Sequence, residues 1–123
     1  MAGTIVADTL QDGAGNSTAM DNAIYGSAKA WARWTGSTGA VLASYNVSSI
    51  TRTGTGSYTI VFTNAMSDAN YSWGGFSQAS GGSQIITGNN TPTLPTASTL
   101  YVQTFNAATA IVDPTTCGIA VFR

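Results

Sequence analysis

The 123-residue sequence predicts an all-β domain, an antiparallel β-sandwich of the jelly-roll or immunoglobulin-like type behind an extended N-terminal arm. From Gly26 onward, apolar and polar residues alternate over short runs that clusters of Gly, Asn, Pro and Ser separate. No apolar spacing of three and four residues persists as an amphipathic helix requires. The 19 Thr, 13 Ser and 18 Ala are small or β-tolerant residues, which suit closely packed strands.

Residues 1–25 differ in character from residues 26–123. A short apolar run, TIVA, is followed by a passage rich in Gly, Asn, Asp and Ser that holds three of the five acidic residues. This composition is compatible with an extended arm and with a frayed terminus, since chain ends are loose unless a neighbour holds them. We therefore predict two parts, an arm over 1–25 and a β-domain over 26–123.

The clearest strand is SYTIVFT (57–63), whose alternation places Tyr58, Ile60 and Phe62 on one face. The TGTG before it supplies residues that can adopt positive φ in a turn. A later strand is predicted to place Leu100, Val102 and Thr104 opposite Tyr101, Gln103 and Phe105. Residues 63–71 are the best place for a single helical turn or a loop across the end of the sandwich, and residues 87–98 read as an irregular loop.

The stretch AKAWARWT (28–35) joins two cationic residues to two tryptophans. As a strand it places Lys29, Trp31 and Arg33 on one side and Trp34, with the alanines, on the other. Three interpretations follow. The cationic face contacts a second subunit, or it stacks on a sugar, or the strand is purely structural, with Trp34 in the core and Arg33 lying over Trp31 as a cation–π pair.

Composition excludes several classes of partner. Charged residues make up 7% of the chain and the formal charge is −1, so neither nucleic acid nor an anionic membrane is an expected partner. No run of about 20 apolar residues exists, and the N-terminus lacks the cationic and apolar regions of a secretory signal. Cys117 is the single cysteine, which rules out an internal disulfide and favours a small buried apolar role.

Catalysis is not predicted. His and Glu are absent, so general acid and base chemistry would fall mainly to five aspartates. Folding could bring Asp68 and Asp113 together as a glycosidase pair, but no motif indicates it. Neither a metal site nor a cofactor is expected, because ligand residues in a recognisable spacing are missing.

Residues 28–73 resemble a module of structural proteins of tailed bacteriophages, in particular fibre and virion-surface proteins. The module reads as KAW with a following aromatic, an S-hydrophobic-N-V-S-S-I-T segment, a G-T-G-x-Y-T-I-x-F strand and an A-M-x-D-A-N-Y passage. Its elements here are Lys29 to Trp31, Trp34, Ser44 to Thr51, Gly54 to Phe62 and Ala65 to Tyr71.

The resemblance implies a β-sandwich that assembles as a homotrimer on the exterior of a virion and is made in the host cytoplasm, with no catalytic residue. Because the module stands behind only a short arm, we expect a capsid decoration or cement protein that contacts the major capsid protein or another virion protein. The residues expected to attach to the capsid are Thr4, Ile5, Val6 and Leu10, and those expected at the subunit interface are Lys29, Trp31 and Arg33.

The alternative is a tail-fibre or receptor-binding module that contacts host glycans. In that case the aromatic residues Trp73 and Tyr101, together with Trp31, are the candidates for stacking on sugar rings.

Overall fold

The computed structural model describes residues 3–88 and 94–123. Antiparallel strands dominate it, with one short helix among the described residues, so the all-β prediction is confirmed. None of these residues forms a helix with the length and apolar character needed to cross a membrane. The elements are β1 Thr9–Gln11, β2 Ser17–Ala19, α1 Met20–Gly26, β3 Ala30–Thr35, β4 Val41–Tyr45, β5 Val47–Gly54, β6 Ser57–Phe62, β7 Ser72–Gln78, β8 Gln84–Gly88, β9 Thr99–Asn106 and β10 Thr116–Phe122.

The strands after the arm form two four-stranded antiparallel sheets. The first sheet has the order β4-β3-β10-β7 and the second has the order β5-β6-β9-β8. The C-terminal strand β10 therefore lies in the middle of the first sheet, between β3 and β7. The strands β1 and β2 pair separately with each other.

One cluster of buried side chains draws on both sheets, and it follows the alternation in the sequence. In β3 the burial pattern alternates strictly, with Ala30, Ala32 and Trp34 buried. The predicted division of β6 and β9 into two faces is confirmed, and the face with Tyr58 in β6 and the face with Leu100 in β9 are the buried ones. The buried cluster consists of Ala30, Ala32, Trp34, Tyr58, Ile60, Phe62, Met66, Leu100, Val102, Cys117, Ile119 and Val121.

The turn between β5 and β6 depends on a glycine. Gly56 has φ +61°, and a Cβ there would lie 2.6 Å from the carbonyl oxygen of Val112. Glycine avoids both the left-handed strain and the clash. The prediction that TGTG provides a positive-φ turn is thus confirmed.

Asn46 holds the crossing from the first sheet to the second, between β4 and β5. Its backbone has φ 55°, a conformation that Asn tolerates better than most residues. Its Nδ2 donates to the carbonyls of Lys29 (2.9 Å) and Asn64 (3.1 Å), and its Oδ1 accepts from the Asn64 amide at 2.7 Å. One side chain thus fastens the crossing to both neighbouring segments.

The expectation of an extended arm over residues 1–25 is wrong for most of its length. The acidic, Gly-rich passage makes a β1–β2 hairpin, because the Asp12 carboxylate accepts from the amides of Ala14 and Asn16, both at 2.9 Å. Helix α1 follows, with Met20 and Ala23 partly buried. None of residues 3–27 is buried, and the extended stretch that does remain is short, over residues 3–7, because the Asp8 carbonyl already accepts from the Met20 amide at 2.9 Å.

The structure agrees to different extents with the two predicted irregular segments, residues 63–71 and 87–98. Residues 63–71 contain no helix, so the predicted helical turn is wrong. The alternative prediction, a loop, is confirmed for this segment. Residues 87–88 belong to β8, residues 94–98 have no regular structure, and the rest of the predicted loop lies outside the described residues.

Candidate functional site

The outward face of the first sheet carries an open apolar groove of about 430 Å³. Its floor is made of small residues from the two central strands and β7, and its walls are Trp31, Arg33 and Phe76. Arg33 supplies the charged group among the lining side chains. We call this surface the outer groove, lined by Trp31, Ala32, Arg33, Ala43, Gly74, Gly75, Phe76, Gly118, Ile119 and Ala120.

Strand register explains why the groove exists. Gly118 pairs with Arg33 on one side and with Phe76 on the other, so the two long side chains flank a residue that has none. A Cβ on Gly118 would lie 2.4 Å from Phe76 Cε1, which shows that the phenyl ring lies over the glycine. Ala120 continues the shallow floor, since it pairs with Trp31 and Gly74.

Arg33 pairs with a different ring from the one expected. Its guanidinium carbon lies 5.7 Å from the centre of the Phe76 ring, within the range of a cation–π contact. The structural interpretation that placed Arg33 over Trp31 is therefore corrected. Because Gly118 leaves the space between β3 and β7 open, Arg33 reaches across the sheet to Phe76.

Lys29 does not extend the cationic face as expected. It is partly buried just before β3, and its ammonium donates a hydrogen bond to the carbonyl of Ile24 in helix α1. Of the three predicted interface residues, only Trp31 and Arg33 line the outer groove.

The aromatic surface is wider than the groove itself. Trp31, Phe76 and Tyr45 are 41%, 45% and 58% exposed, and Tyr45 pairs with Trp31 across β3 and β4. Phe122, at the end of β10, is also exposed. The first sheet thus presents several large rings around a floor of glycine and alanine.

The structure separates the two predicted stacking residues. Trp73 is partly buried, and it packs against the buried cluster on the inward side of β7. Tyr101 lies on β9 in the second sheet, on the face opposite the buried Leu100 and Val102. The two rings therefore do not form one platform.

The arm residues expected to attach to a capsid are exposed. Ile5 and Val6 are 88% and 93% exposed, and Leu10 in β1 is 54% exposed. Thr4 lies in the same exposed segment. These apolar side chains have no covering partner among the described residues.

The two aspartates considered for catalysis lie far apart. Asp113 pairs with Arg52 (2.7 Å) just before β10 begins, while Asp68 pairs with Arg123 (2.7 Å) just after β10 ends. A seven-residue strand spans about 20 Å, so the carboxylates sit near opposite ends of it. Among the described residues, no cluster of three His, Cys, Asp or Glu side chains is suited to a metal ion.

Cys117 is buried in the core, as predicted. Burial raises the pKa of its thiol to about 12, and the thiolate is the reactive form. We expect labelling by a thiol reagent at pH 8 to be slower in the native protein than in urea, on the order of a thousandfold. Stopped-flow absorbance with an aromatic disulfide checks this, and equal rates in both conditions would contradict the buried placement.

Comparison of the chain with protein-family models, with curated proteins and with solved structures finds no match. The residues that complete the outer groove beside Trp31 and Arg33 were not predicted from the sequence. Alternation in SWGGFSQ already puts Phe76 opposite Trp73, and alternation in TCGIAVF puts Gly118 opposite Cys117. Only strand pairing brings these faces together.

Proposed function

We propose that this chain is a non-catalytic structural protein of a bacteriophage virion, most specifically a decoration or cement subunit on the exterior of the capsid. The proposal rests first on the module resemblance of residues 28–73. The structural observation that supports it is the group of exposed aromatic side chains around the outer groove, in a chain with few charged residues.

That face has the composition of a protein contact. Trp31, Tyr45 and Phe76 are 41%, 58% and 45% exposed, which is roughly 100 Å² of residue surface each. Contiguous apolar patches of a few hundred Å² mark interaction sites. A standard interface buries about 800 Å² per partner, with Trp, Tyr, Phe and Arg enriched at its centre. The patch is large enough to form the apolar centre of such an interface.

The finer architecture is part of the proposal. We infer that the two sheets pack face to face as a β-sandwich, because a single buried cluster takes side chains from both. The edge-to-face contact between Trp34 of β3 and Tyr58 of β6, 5.5 Å between ring centres, supports this arrangement. The sandwich then assembles as a homotrimer through the outward face of the first sheet.

The arm provides the second contact of the proposed subunit. Leu10 in the hairpin and Ile24 and Tyr25 in α1 are exposed apolar residues on a segment that has none buried. When a hydroxyl-rich protein with few charges binds a capsid, few charged groups lose their water. The cost of desolvation is therefore low, which favours contact between this segment and the capsid.

Copy number tests the location. In purified particles of the phage that encodes the chain, quantitative mass spectrometry gives its ratio to the major capsid protein. A ratio near that of the capsid protein supports the decoration role, and a few copies per particle place the chain on the tail. Absence from the particles contradicts any virion role.

Solution mass tests the assembly. Sedimentation equilibrium should give three times the 12.5 kDa mass of one chain, and Trp31→Ala should weaken assembly at least tenfold, as an interface hot spot does. Tyr101→Ala is the matched control, because its ring faces outward from the other sheet. Equal effects of the two substitutions would contradict the assigned interface.

A second candidate function is favoured by one observation, the surroundings of Tyr101. Its ring lies on an outward face beside Thr59, its register partner, and near Gln103, which donates to Ser57 Oγ at 3.2 Å. An aromatic ring among hydroxyls and amides suits the stacking and hydrogen bonding that sugars require. Binding of the chain to host polysaccharide that is lost in Tyr101→Ala but kept in Trp31→Ala would favour a receptor-binding module.

A further inference from the structure

We infer that the outer groove of one copy receives the N-terminal segment Thr4–Asp8 of a second copy. This inference rests on the proposed function, since it names what the neighbouring subunit places against the aromatic face. The groove is an open apolar surface, and Ile5 and Val6 of the segment are the most exposed of the large apolar side chains in the described part of the chain.

The segment is apolar and extended, as a chain that binds in the outer groove must be. Residues 3–7 belong to no described hairpin, helix or sheet, and Ile5 and Val6 are 88% and 93% exposed. Asp8 ends the segment, because its carbonyl accepts from the Met20 amide at 2.9 Å beside the hairpin. The groove offers aromatic walls and a floor without bulky side chains, so an aliphatic side chain can settle between the rings. Ile5 and Val6 are β-branched, and such side chains suit the extended backbone needed to lie along a sheet.

Charge favours the same pairing. Residues 1–27 contain three aspartates and no Lys or Arg, whereas residues 28–123 contain four cationic residues and two aspartates. Both of those later aspartates are already bound by Arg52 and Arg123. Arg33 forms no salt bridge in the described part of the chain, and it lies at the wall of the groove. An acidic arm therefore complements the cationic residue left at the groove.

The spacing of the residues fixes a register. In an extended segment, Val6 and Asp8 point to the same side about 6.6 Å apart, and Trp31 and Arg33 on β3 have the same separation. With the segment running along β3, Val6 lies on the groove floor beside Trp31 and Asp8 meets the Arg33 guanidinium. Arg33 then contacts a carboxylate on one side and the Phe76 ring on the other.

A second copy of the chain supplies one Thr4–Asp8 segment for each outer groove. The chain's own Ile5 and Val6 are almost fully exposed, so its own arm does not fill its own groove. An arm-to-groove contact joins two different surfaces, and such heterologous contacts close into a ring when the rotation between copies permits. A ring of three is the closed form that agrees with the proposed trimer.

Cross-linking between copies tests the contact directly. Full-length Val6→Cys is mixed with full-length Ala120→Cys under mild oxidation, and each variant is also oxidised alone. We expect a covalent dimer that forms at least tenfold more in this mixture than with Thr51→Cys, a matched control on an exposed strand residue of the second sheet. The native Cys117 is buried and contributes little.

A charge exchange provides the second test. Asp8→Arg and Arg33→Asp should each weaken association about tenfold, and the double exchange should restore it to within about threefold of the wild type. Circular dichroism establishes that each variant is folded. Failure of the double variant to recover, with folding intact, overturns the Asp8–Arg33 pairing.

The remaining outcomes separate the inference from the proposed function. A trimer without the Val6–Ala120 cross-link overturns the inference and leaves the proposed assembly standing. A cross-link confined to single chains of a Val6→Cys, Ala120→Cys double variant shows that the chain's own arm is the occupant and also overturns it. Cross-linking of Val6→Cys only to capsid protein restores the expectation that Ile5 and Val6 attach to the capsid. A monomer throughout contradicts both the inference and the proposed homotrimer, while the copy number still decides the virion role.

Discussion

Trp34→Ala should lower the free energy of unfolding by about 3 to 5 kcal/mol, the usual range for truncating a buried aromatic residue. Trp34 is 0% exposed and its ring meets Tyr58 edge to face at 5.5 Å. Removing the indole leaves a cavity between β3 and β6, which are in different sheets. Native proteins are stable by only about 5 to 15 kcal/mol, so this loss removes a large part of the stability and the unfolding midpoint should move to a much lower urea concentration.

Urea denaturation followed by circular dichroism measures the effect without relying on tryptophan fluorescence. Trp31→Ala is the matched control, because Trp31 is on the same strand but on the outward face. At a protein concentration too low for assembly, we expect its unfolding midpoint to lie close to that of the wild type. Equal destabilisation by the two substitutions would contradict the assignment of inner and outer faces to β3.

Asp113→Asn should lower the free energy of unfolding by about 2 kcal/mol, since bonds to charged groups are worth more than neutral ones. The Asp113 carboxylate accepts from Arg52 Nε and Nη2 at 3.0 and 2.7 Å, from the Gly56 amide at 2.8 Å and from Tyr58 Oη at 3.2 Å. These bonds attach the segment before β10 to β5, β6 and the turn between them. An amide cannot replace the bidentate pair with Arg52.

The control for Asp113 is Asp68→Asn, which breaks a similar bidentate pair with Arg123. The Asp68 side chain is 41% exposed against 23% for Asp113, so water replaces its lost partner more easily and the loss should be smaller. A loss from Asp68→Asn equal to that from Asp113→Asn would show that the Asp113 network adds nothing beyond a surface ion pair.

The same carboxyl group makes stability depend on pH in acid. The hydrogen bonds from Arg52 hold the pKa of Asp113 below its ordinary value of 3.8. A depressed folded-state pKa means that the stabilisation is present above about pH 4 and is lost as the pH falls through the folded pKa. We expect the melting temperature to fall between pH 4 and pH 2, and less steeply in Asp113→Asn. Parallel curves for the two proteins would contradict the link to Asp113.

The faces of individual strands could be predicted because side-chain direction alternates with a period of two. Alternation alone put Trp34 and Trp31 on opposite faces and put Tyr58, Ile60 and Phe62 on one face, and the structure shows that Trp34 and this second set are buried. The glycine-rich turn before β6 was predictable for a similarly local reason, since left-handed backbone favours glycine. Local rules were weaker in the arm, where a hairpin and a seven-residue helix replace the expected extended chain.

By itself the sequence determined the all-β class, the two faces of single strands and the low content of charged residues, because these follow from residue type and spacing along one strand. Only the tertiary structure decided which strands are neighbours. Placing β10 between β3 and β7 brings Arg33, Gly118 and Phe76 side by side, although each is at least 42 residues from the other two in the sequence. The outer groove is a property of that pairing, and no local pattern encodes it, because the free energy of strand pairing depends on contacts distant in sequence.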